Sequence, residues 1–285
     1  MTRIGLAVHR FRPDALLIAR QVAEWAAAHG MSTVVDVSDA PAVDSSIPVV
    51  GDVGESDLLV SIGGDGTMLR AVKSLAGREV PIIGVNLGML GYLATVEQDS
   101  VIAALDAWRT GHQGTDFHFD DRMLLEVVVW SNGARLADLL ALNEVVVEKR
   151  DAGHTVRLGV DIDKAPFTTY AADGLIVATP TGSTAYSMSA RGPVLSPRMR
   201  ALLVTPVSPH MLFDRSLVLD SSEAVRIEVL GHRHVNVAID GGLVHTLKPD
   251  DVVEIRAANE VARFMRFEER RFHQVLKSKF GLNDR

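Results

Sequence analysis

Leu58-Leu59-Val60-Ser61-Ile62-Gly63-Gly64-Asp65-Gly66-Thr67 decides the fold. An apolar run reads as a buried strand, three glycines around a carboxylate break it, and residues 67–75 then read as a helix. Strand, glycine turn and helix form the repeating step of a parallel sheet covered by helices. The same alternation extends to both sides. Residues 4–8 read as a buried strand and residues 13–29 as a helix, with Pro13 near its start and Gly30 as its left-handed stop. Residues 34–37 and 80–85 read as further strands, and Asp99 or Ser100 is placed to cap a helix ending near Arg109.

After Gly111 the texture changes to short strands. Residues 123–130 form a continuous apolar run closed by the hairpin signal Ser131-Asn132-Gly133. Residues 143–148, 156–162, 174–178, 201–205, 217–219, 225–230, 235–239 and 252–255 follow as strands. Turn chemistry at Asp163-Lys164, Asp240-Gly241-Gly242 and Lys248-Pro249-Asp250 separates several of them. That spacing predicts a β-sandwich or a related all-β domain. Residues 266–280 return to helical texture, with Glu268, Glu269, Arg270 and Arg271 as a solvated face. The expected division is an α/β domain over residues 1–98, completed by a C-terminal helix over 263–285, and a β-rich substrate-binding domain over 99–262.

Composition narrows the function. The chain has 285 residues, 47% of them hydrophobic and 23% charged, enough apolar material for a packed core rather than a disordered or fibrous chain. A formal net charge of −7 disfavours non-specific nucleic-acid binding, which rests on Lys and Arg. Cysteine is absent, excluding disulfide frameworks, thiolate metal sites and cysteine nucleophiles. No apolar run approaches the ~18 residues of a membrane helix, and Arg3, His9, Arg10 and Arg12 stand where a leader would need an apolar stretch. These features predict a cytoplasmic protein with no membrane or nucleic-acid partner.

Three segments carry the chemistry. In the first, Gly63, Gly64 and Gly66 let the backbone approach an anion and permit positive φ angles that expose N–H groups. The helix starting near Thr67 aims its positive end at the same point, and Arg70 is one turn on, able to pair with a phosphate. Asp65 is a strange choice for phosphate binding alone, because two anions repel. It points to a metal ion between them or to a base beside the phosphate; the plainer alternative is a tight turn with Asp65 as a local cap. The segment lacks the Gly-Lys-Ser/Thr ending of a Walker loop.

The second segment is Asn143-Glu144, at the head of an apolar strand. An amide beside a carboxylate suits a ribose diol or a base edge; the alternative is a strand end at the solvent. The third runs from Asp173 through Thr179-Pro180-Thr181-Gly182-Ser183-Thr184-Ala185-Tyr186-Ser187-Met188-Ser189. There a buried strand enters a loop rich in hydroxyls and free N–H groups, with small side chains that leave room for a ring system and Tyr186 as an aromatic wall. A flexible turn is its plain alternative. His232-x-His234 lacks a third metal ligand and reads as exposed strand, and Trp25, Trp108 and Trp130 read as packing residues.

Together these segments resemble the NAD kinase family. The resemblance covers most of the chain and includes Asn86-Leu-Gly-Met-Leu-Gly-Tyr-Leu93, Gly192-Pro193 and the run Thr205-Pro-Val-Ser-Pro-His210. It implies an α/β domain with a β-rich sandwich-like domain, and phosphoryl transfer from ATP or polyphosphate to the 2′-hydroxyl of the adenosine ribose of NAD. It implies that Asp65 is the catalytic proton acceptor and that Gly63, Gly64, Gly66 and Thr67 form the phosphate loop. Arg70, Asn143, Glu144, His154, Ala171, Asp173, Thr181, Thr184, Ala185, Tyr186, Ser187, Met188 and Ser189 are the implied substrate contacts. A divalent cation, Mg²⁺ by preference, and a homodimer or homotetramer are implied with them. The chain departs from the family pattern at Arg215-Ser216-Leu217 and at the glycine-rich Asp240-Gly241-Gly242, where any contact uses backbone. Two alternatives share parts of the signal. A lipid kinase of the diacylglycerol or sphingosine type carries a similar glycine loop, but this chain is acidic and lacks a basic amphipathic helix. A non-catalytic nucleotide-sensing module is the other, weighed against an Asp65 intact in its glycine frame.

Overall fold

Ile4, Leu6 and Val8 alternate with Gly5 and Ala7 along the first strand, and both sets are buried. A strand buried on both faces belongs inside a sheet covered on both sides. The computed structural model describes residues 1–36, 39, 50–88, 91–268 and 271–282. Val37, Met89, Leu90, Glu269 and Arg270, used in the sequence reading, lie outside them. The chain divides into two units, Met1–Asp121 with Ala262–Arg285, and Arg122–Val261.

The first unit contains β1 (Arg3–Val8), α1 (Pro13–Ala28), β2 (Ser32–Asp36), β3 (Val50–Gly51), β4 (Leu58–Gly63), α2 (Asp65–Leu75), β5 (Ile82–Asn86), β6 (Val96–Glu97) and α3 (Val101–Thr110). Its strands lie in the order β3-β2-β1-β4-β5, all parallel. Pro13 opens α1, and Gly30 follows its end at φ +70, a conformation that favours glycine. Ala15, Ile18, Val22 and Ala26 of α1 and Val101, Ala104 and Leu105 of α3 share one core with Ile4, Leu6, Val8, Val60, Ile62, Ile83 and Val85. Gly84 points the other way, where a Cβ would meet Met68 of α2, so α2 covers the opposite face. Ser100 is the N-cap of α3 but makes no side-chain cap hydrogen bond; a 3₁₀ turn over Gln98–Ser100 leads the chain in instead.

The second unit contains most of β7 (His118–Ser131), then β8 (Ala134–Ala141), β9 (Glu144–Lys149), β10 (Val156–Ile162), β11 (Ala165–Ala172), β12 (Gly174–Ala178), α4 (Tyr186–Ser189), β13 (Ala201–Val207), β14 (Leu217–Asp220), β15 (Val225–Leu230), β16 (Val235–Ile239), β17 (Gly242–Leu247) and the first part of β18 (Val252–Arg266). Six strands form an antiparallel sheet in the order β14-β13-β12-β9-β16-β17. The second layer runs β11-β10-β15-β18, with the β7–β8 hairpin paired to β18. Leu125, Val127, Val145, Val147, Leu158, Tyr170, Leu175, Val177, Ile227 and Val253 come from both layers and meet in one core, which makes this unit a sandwich. Asn132 and Gly133 take φ of 51° and 74°, as their hairpin signal predicts; Asp163-Lys164 and Asp240-Gly241 turn with the same sign.

The structure departs from the sequence reading in three places. Residues 99–121 belong with the first unit rather than the second, because α3 packs on α1 and the Trp25 indole N–H donates to Asp106 at 3.0 Å. The last strand is far longer than residues 252–255. It runs to Arg266, so the C-terminal helix α5 (Phe272–Phe280) starts later than expected. Strands β3, β6, β8, β11 and β17 have no counterpart in that reading. Among the described residues no helix is long and apolar enough to cross a membrane.

Leu105 of α3 is fully buried in the first core. Leu105→Ala is expected to cost about 2–5 kcal/mol, read from the urea midpoint at constant m. A loss under about 1 kcal/mol would detach α3 from that core.

Candidate active site

In the first unit β1 leads to β2 on one side, and β4 lies against its other edge. Such a reversal opens a crevice at the carboxyl ends of the strands, where open α/β sheets bind ligands. Gly63, the last residue of β4, sits at that end, and α2 begins two residues later at Asp65 rather than at Thr67. The glycines work differently from the expectation. None of Gly63, Gly64 or Gly66 has a positive φ, and Gly64, the N-cap of α2, is extended at φ −113°. Gly63 is required by close approach, because a Cβ there would collide with the Thr67 side chain. Gly64 and Gly66 have nothing within 4 Å of where a Cβ would stand. Their bareness leaves the first turn of α2, with its outward N–H groups, open to an anion.

Asp65 does not cap its own helix. Its Oδ2 accepts the Tyr92 N–H at 2.9 Å, and its Oδ1 accepts the N–H groups of Leu93 at 3.0 Å and Ala94 at 3.4 Å. A Cβ on Gly91 would strike the carboxylate, so glycine is the residue that lets this loop close over it. A carboxylate has about four acceptor sites. Three backbone donors therefore orient Asp65 and leave Oδ2 able to accept one more hydrogen bond. Arg70 turns elsewhere: it donates to the Val8 carbonyl at 2.9 Å and to both oxygens of Asp39 at 3.1 Å. Asp39 is 1% exposed and also accepts from Arg10 Nε and the Val8 N–H, each at 3.0 Å. The guanidinium expected to meet a phosphate is thus opposed by a buried carboxylate that the sequence reading did not single out.

The second unit gathers its candidates around the head of β9. Asp240, in the β16–β17 turn at φ +48°, accepts three successive N–H groups: Leu142 at 2.9 Å, Asn143 at 2.7 Å and Glu144 at 3.1 Å. Thr179 locks the same strand from the other neighbour, its hydroxyl donating to the Leu142 carbonyl at 2.6 Å and accepting from Gly182 N–H at 3.0 Å. Gly182 lies on the Asn143 backbone, where a Cβ would collide. Glu144 is 5% exposed, and its Oε2 has no hydrogen-bond partner. Burial first, then the charge of Asp240, pushes its carboxyl up to about 7, against a hydrogen bond from the Tyr186 backbone.

The remaining candidates sort by environment. Lys149 Nζ bonds Asp173 Oδ1 at 2.6 Å. Tyr186 is more than a third exposed; burial, then the charges of Glu148, Asp173 and Glu144, raise its phenol. Ser187 is buried, and its hydroxyl meets that of Thr205 at 3.0 Å. Thr181 accepts from buried Arg122 at 3.3 Å, and the Thr184 hydroxyl donates to the Thr181 carbonyl at 3.3 Å. Ala185, Met188 and Ser189 follow around α4, with Ser189 exposed. Ala171 lies in β11, its carbonyl accepting the His210 N–H, and His154 is exposed between β9 and β10. His232 and His234 are exposed, and among the described residues no three His, Asp or Glu side chains gather to hold a metal.

Residues 52–112 match the model of the ATP-NAD kinase N-terminal domain, and residues 142–267 that of the ATP-NAD kinase C-terminal domain. The NAD kinase of Syntrophotalea carbinolica is 38% identical over 292 residues, covering the whole of both chains. The chain belongs to the NAD kinase family. Among solved structures, yeast NADH kinase complexed with NADH shares the fold at a TM-score of 0.86 and 23% identity, over 100% of this chain and 89% of that one. An NAD kinase from Archaeoglobus fulgidus in complex with ATP superposes at 0.76 and 22%, over 99% and 100%. The family matches take in Asp65 in one part and the residues around Glu144 in the other. They give no support to the lipid-kinase or sensing-module alternatives.

Glu144 supplies a test of this geometry. Its carboxyl is raised from 4.5 to about 7 in the folded protein. Between those values the folded chain keeps a proton that the unfolded chain has lost. The stability tied to Glu144 is therefore full below the lower value and fades as pH rises through the upper one. Relative to wild type, Glu144→Gln should melt at nearly the same temperature at pH 5 and higher at pH 8. A melting difference that does not grow with pH contradicts the assignment.

Proposed function

We propose that this NAD kinase family member transfers the terminal phosphoryl group of ATP or inorganic polyphosphate to the 2′-hydroxyl of the adenosine ribose of NAD, giving NADP. The observation that carries the reading is Asp65, pinned by the amides of residues 92–94 between two bare glycines at the carboxyl end of β4, with acceptor capacity left on Oδ2. A secondary alcohol is a weak nucleophile at neutral pH. Asp65 accepts its proton as the new oxygen–phosphorus bond forms and the donor's bridging bond breaks, a contribution of roughly 10²–10⁴-fold. The proton ends on Asp65, and the leaving group is ADP or a polyphosphate one unit shorter. The rest of the barrier falls through alignment and charge neutralisation around the transferred group.

The open first turn of α2, with Gly63, Gly64, Gly66 and Thr67, serves the donor phosphates. Asn143 and Glu144 hold ribose or base hydroxyl and amino donors, and the orphan Oε2 of Glu144 is the acceptor waiting for one. Asp173, Thr181, Thr184, Ala185, Tyr186, Ser187, Met188 and Ser189 line the dinucleotide pocket in this reading, with His154 and Ala171 as further contacts; Arg70 is given to Asp39 instead. Mg²⁺ commonly binds through one or two carboxylates plus substrate phosphates. The residues present fit that pattern: no all-protein cage is built among the described residues, and with the last acceptor site of Asp65 given to the ribose proton, the donor phosphates would supply most of the ligands. When bound, the ion neutralises phosphate charge. The family resemblance supports a homodimer or homotetramer, and the cysteine-free, acidic composition supports a cytoplasmic setting.

A matrix of donors against NAD and NADH, with the phosphorylated position read by NMR, tests the reaction. Asp65→Asn keeps one acceptor oxygen for the loop amides and should fold, with kcat lower by two to four orders of magnitude. Near-native turnover in that variant removes Asp65 from the role. Excess EDTA should abolish turnover, and Mg²⁺ should restore it; full activity in chelator contradicts the cation requirement.

A further inference from the structure

Arg266, the last residue of β18, is an arginine with 7% exposure and no part in the reading above. Its guanidinium makes three defined hydrogen bonds. Nη1 donates to the Leu93 carbonyl at 2.6 Å and to the Thr95 hydroxyl at 3.1 Å, and Nε donates to Asp120 Oδ2 at 3.0 Å. The plane also lies over the Phe264 ring, 5.2 Å from its centroid. Leu93 is the residue whose N–H is given to Asp65. The same peptide segment is therefore held from its carbonyl side by Arg266 and used from its amide side to aim the carboxylate.

We propose that Arg266 is a positioning residue for phosphoryl transfer, acting through residues 93–95 to set the direction of Asp65. The claim rests on the reading that Asp65 takes the ribose proton. A buried arginine suits the task better than a lysine, because one rigid fork serves a carbonyl, a hydroxyl and a carboxylate at once. Asp120 balances the charge and fixes the plane from a neighbouring strand. Small displacements of an aligned catalytic group are costly in rate and cheap in binding. The signature is therefore a loss of rate at saturating NAD with little change in the NAD concentration for half-saturation.

The experiment compares Arg266→Lys, Arg266→Met and Thr95→Val with wild type, by single-turnover rate and by amide hydrogen exchange. For Arg266→Lys the expected outcome is a rate about tenfold or more lower, half-saturation within about twofold, and partial retention relative to Arg266→Met. Exchange at Leu93 and Ala94 should quicken by about tenfold while Ile83 and Val85 in β5 keep their protection. Thr95→Val, which deletes a single acceptor, should move the same two readouts in the same direction and by less, and it carries the test if Arg266→Met does not fold. An unchanged rate in folded Arg266→Lys overturns the proposal. So does quickened exchange spread evenly over residues 83, 85, 93 and 94, which marks a general structural role. Full turnover by Asp65→Asn instead sinks the parent reading, and the exchange pattern still reports on what Arg266 holds.

Discussion

A carboxylate held by consecutive backbone amides is the constraint around which both units are organised. Asp65 collects the N–H groups of residues 92–94, and Asp240 collects those of residues 142–144. Each cluster satisfies backbone donors that a loop could not satisfy within itself, and each fixes a functional segment to a distant turn. The geometry dictates the residues around it. Gly91 must lack a side chain for the loop to close on Asp65, and Gly182 must lack one for the Thr179 loop to lie against Asn143. Carboxylate–amide bonds are also short and directional, so the segments they hold have little freedom.

The two clusters differ in what they leave unsatisfied. Around Asp65 the unmatched groups are the buried Thr67 hydroxyl and Arg70 Nε, and the bare faces of Gly64 and Gly66 are the open ground. Around Asp240 the unmatched group is Glu144, buried with one oxygen lacking a partner and its proton affinity raised. A buried polar atom without a partner costs free energy. A ligand that donates a hydrogen bond to it recovers that cost, which converts a local strain into affinity for hydroxyl or amino groups. This is why the proposed recognition by the second unit centres on Glu144 rather than on the more exposed Asp173 or Tyr186.

Much of this was legible from sequence. The strand–glycine–helix step at residues 58–75, the Asn132-Gly133 hairpin and the alternation of residues 225–239 all show the period or turn chemistry of the elements they form. Strands β8 and β11 were hidden because Ala134–Ala141 mixes alanine, leucine and charges at helix-like spacing, and Ala165–Ala172 opens on alanine and proline. The end of β18 was hidden because residues from 263 onward read as the C-terminal helix, whereas Arg263 and Arg266 stay in the strand, each consumed by an aspartate, Asp121 and Asp120. The pairings of Asp39, Asp240 and Arg266 share one reason for escaping notice. Their partners are 29 to 173 residues away, and no local pattern encodes such a pairing.

That separation bears on how the first unit is completed. Its parallel sheet and helices come from the first 121 residues, yet Phe264 pairs with Ile82 at the edge of β5, and Met265 joins the core with Ile83 and Val85. The last strand must therefore dock for that edge to be closed, and closing so long a loop carries a cost in chain entropy. Arg266 arrives with the same strand and reaches Leu93 across 173 residues of chain. The backbone that aims Asp65 gains its final brace only when the C-terminal strand is in place. The geometry of the glycine loop is thus a property of the finished chain and not of the strand–turn–helix motif by which the sequence announces it.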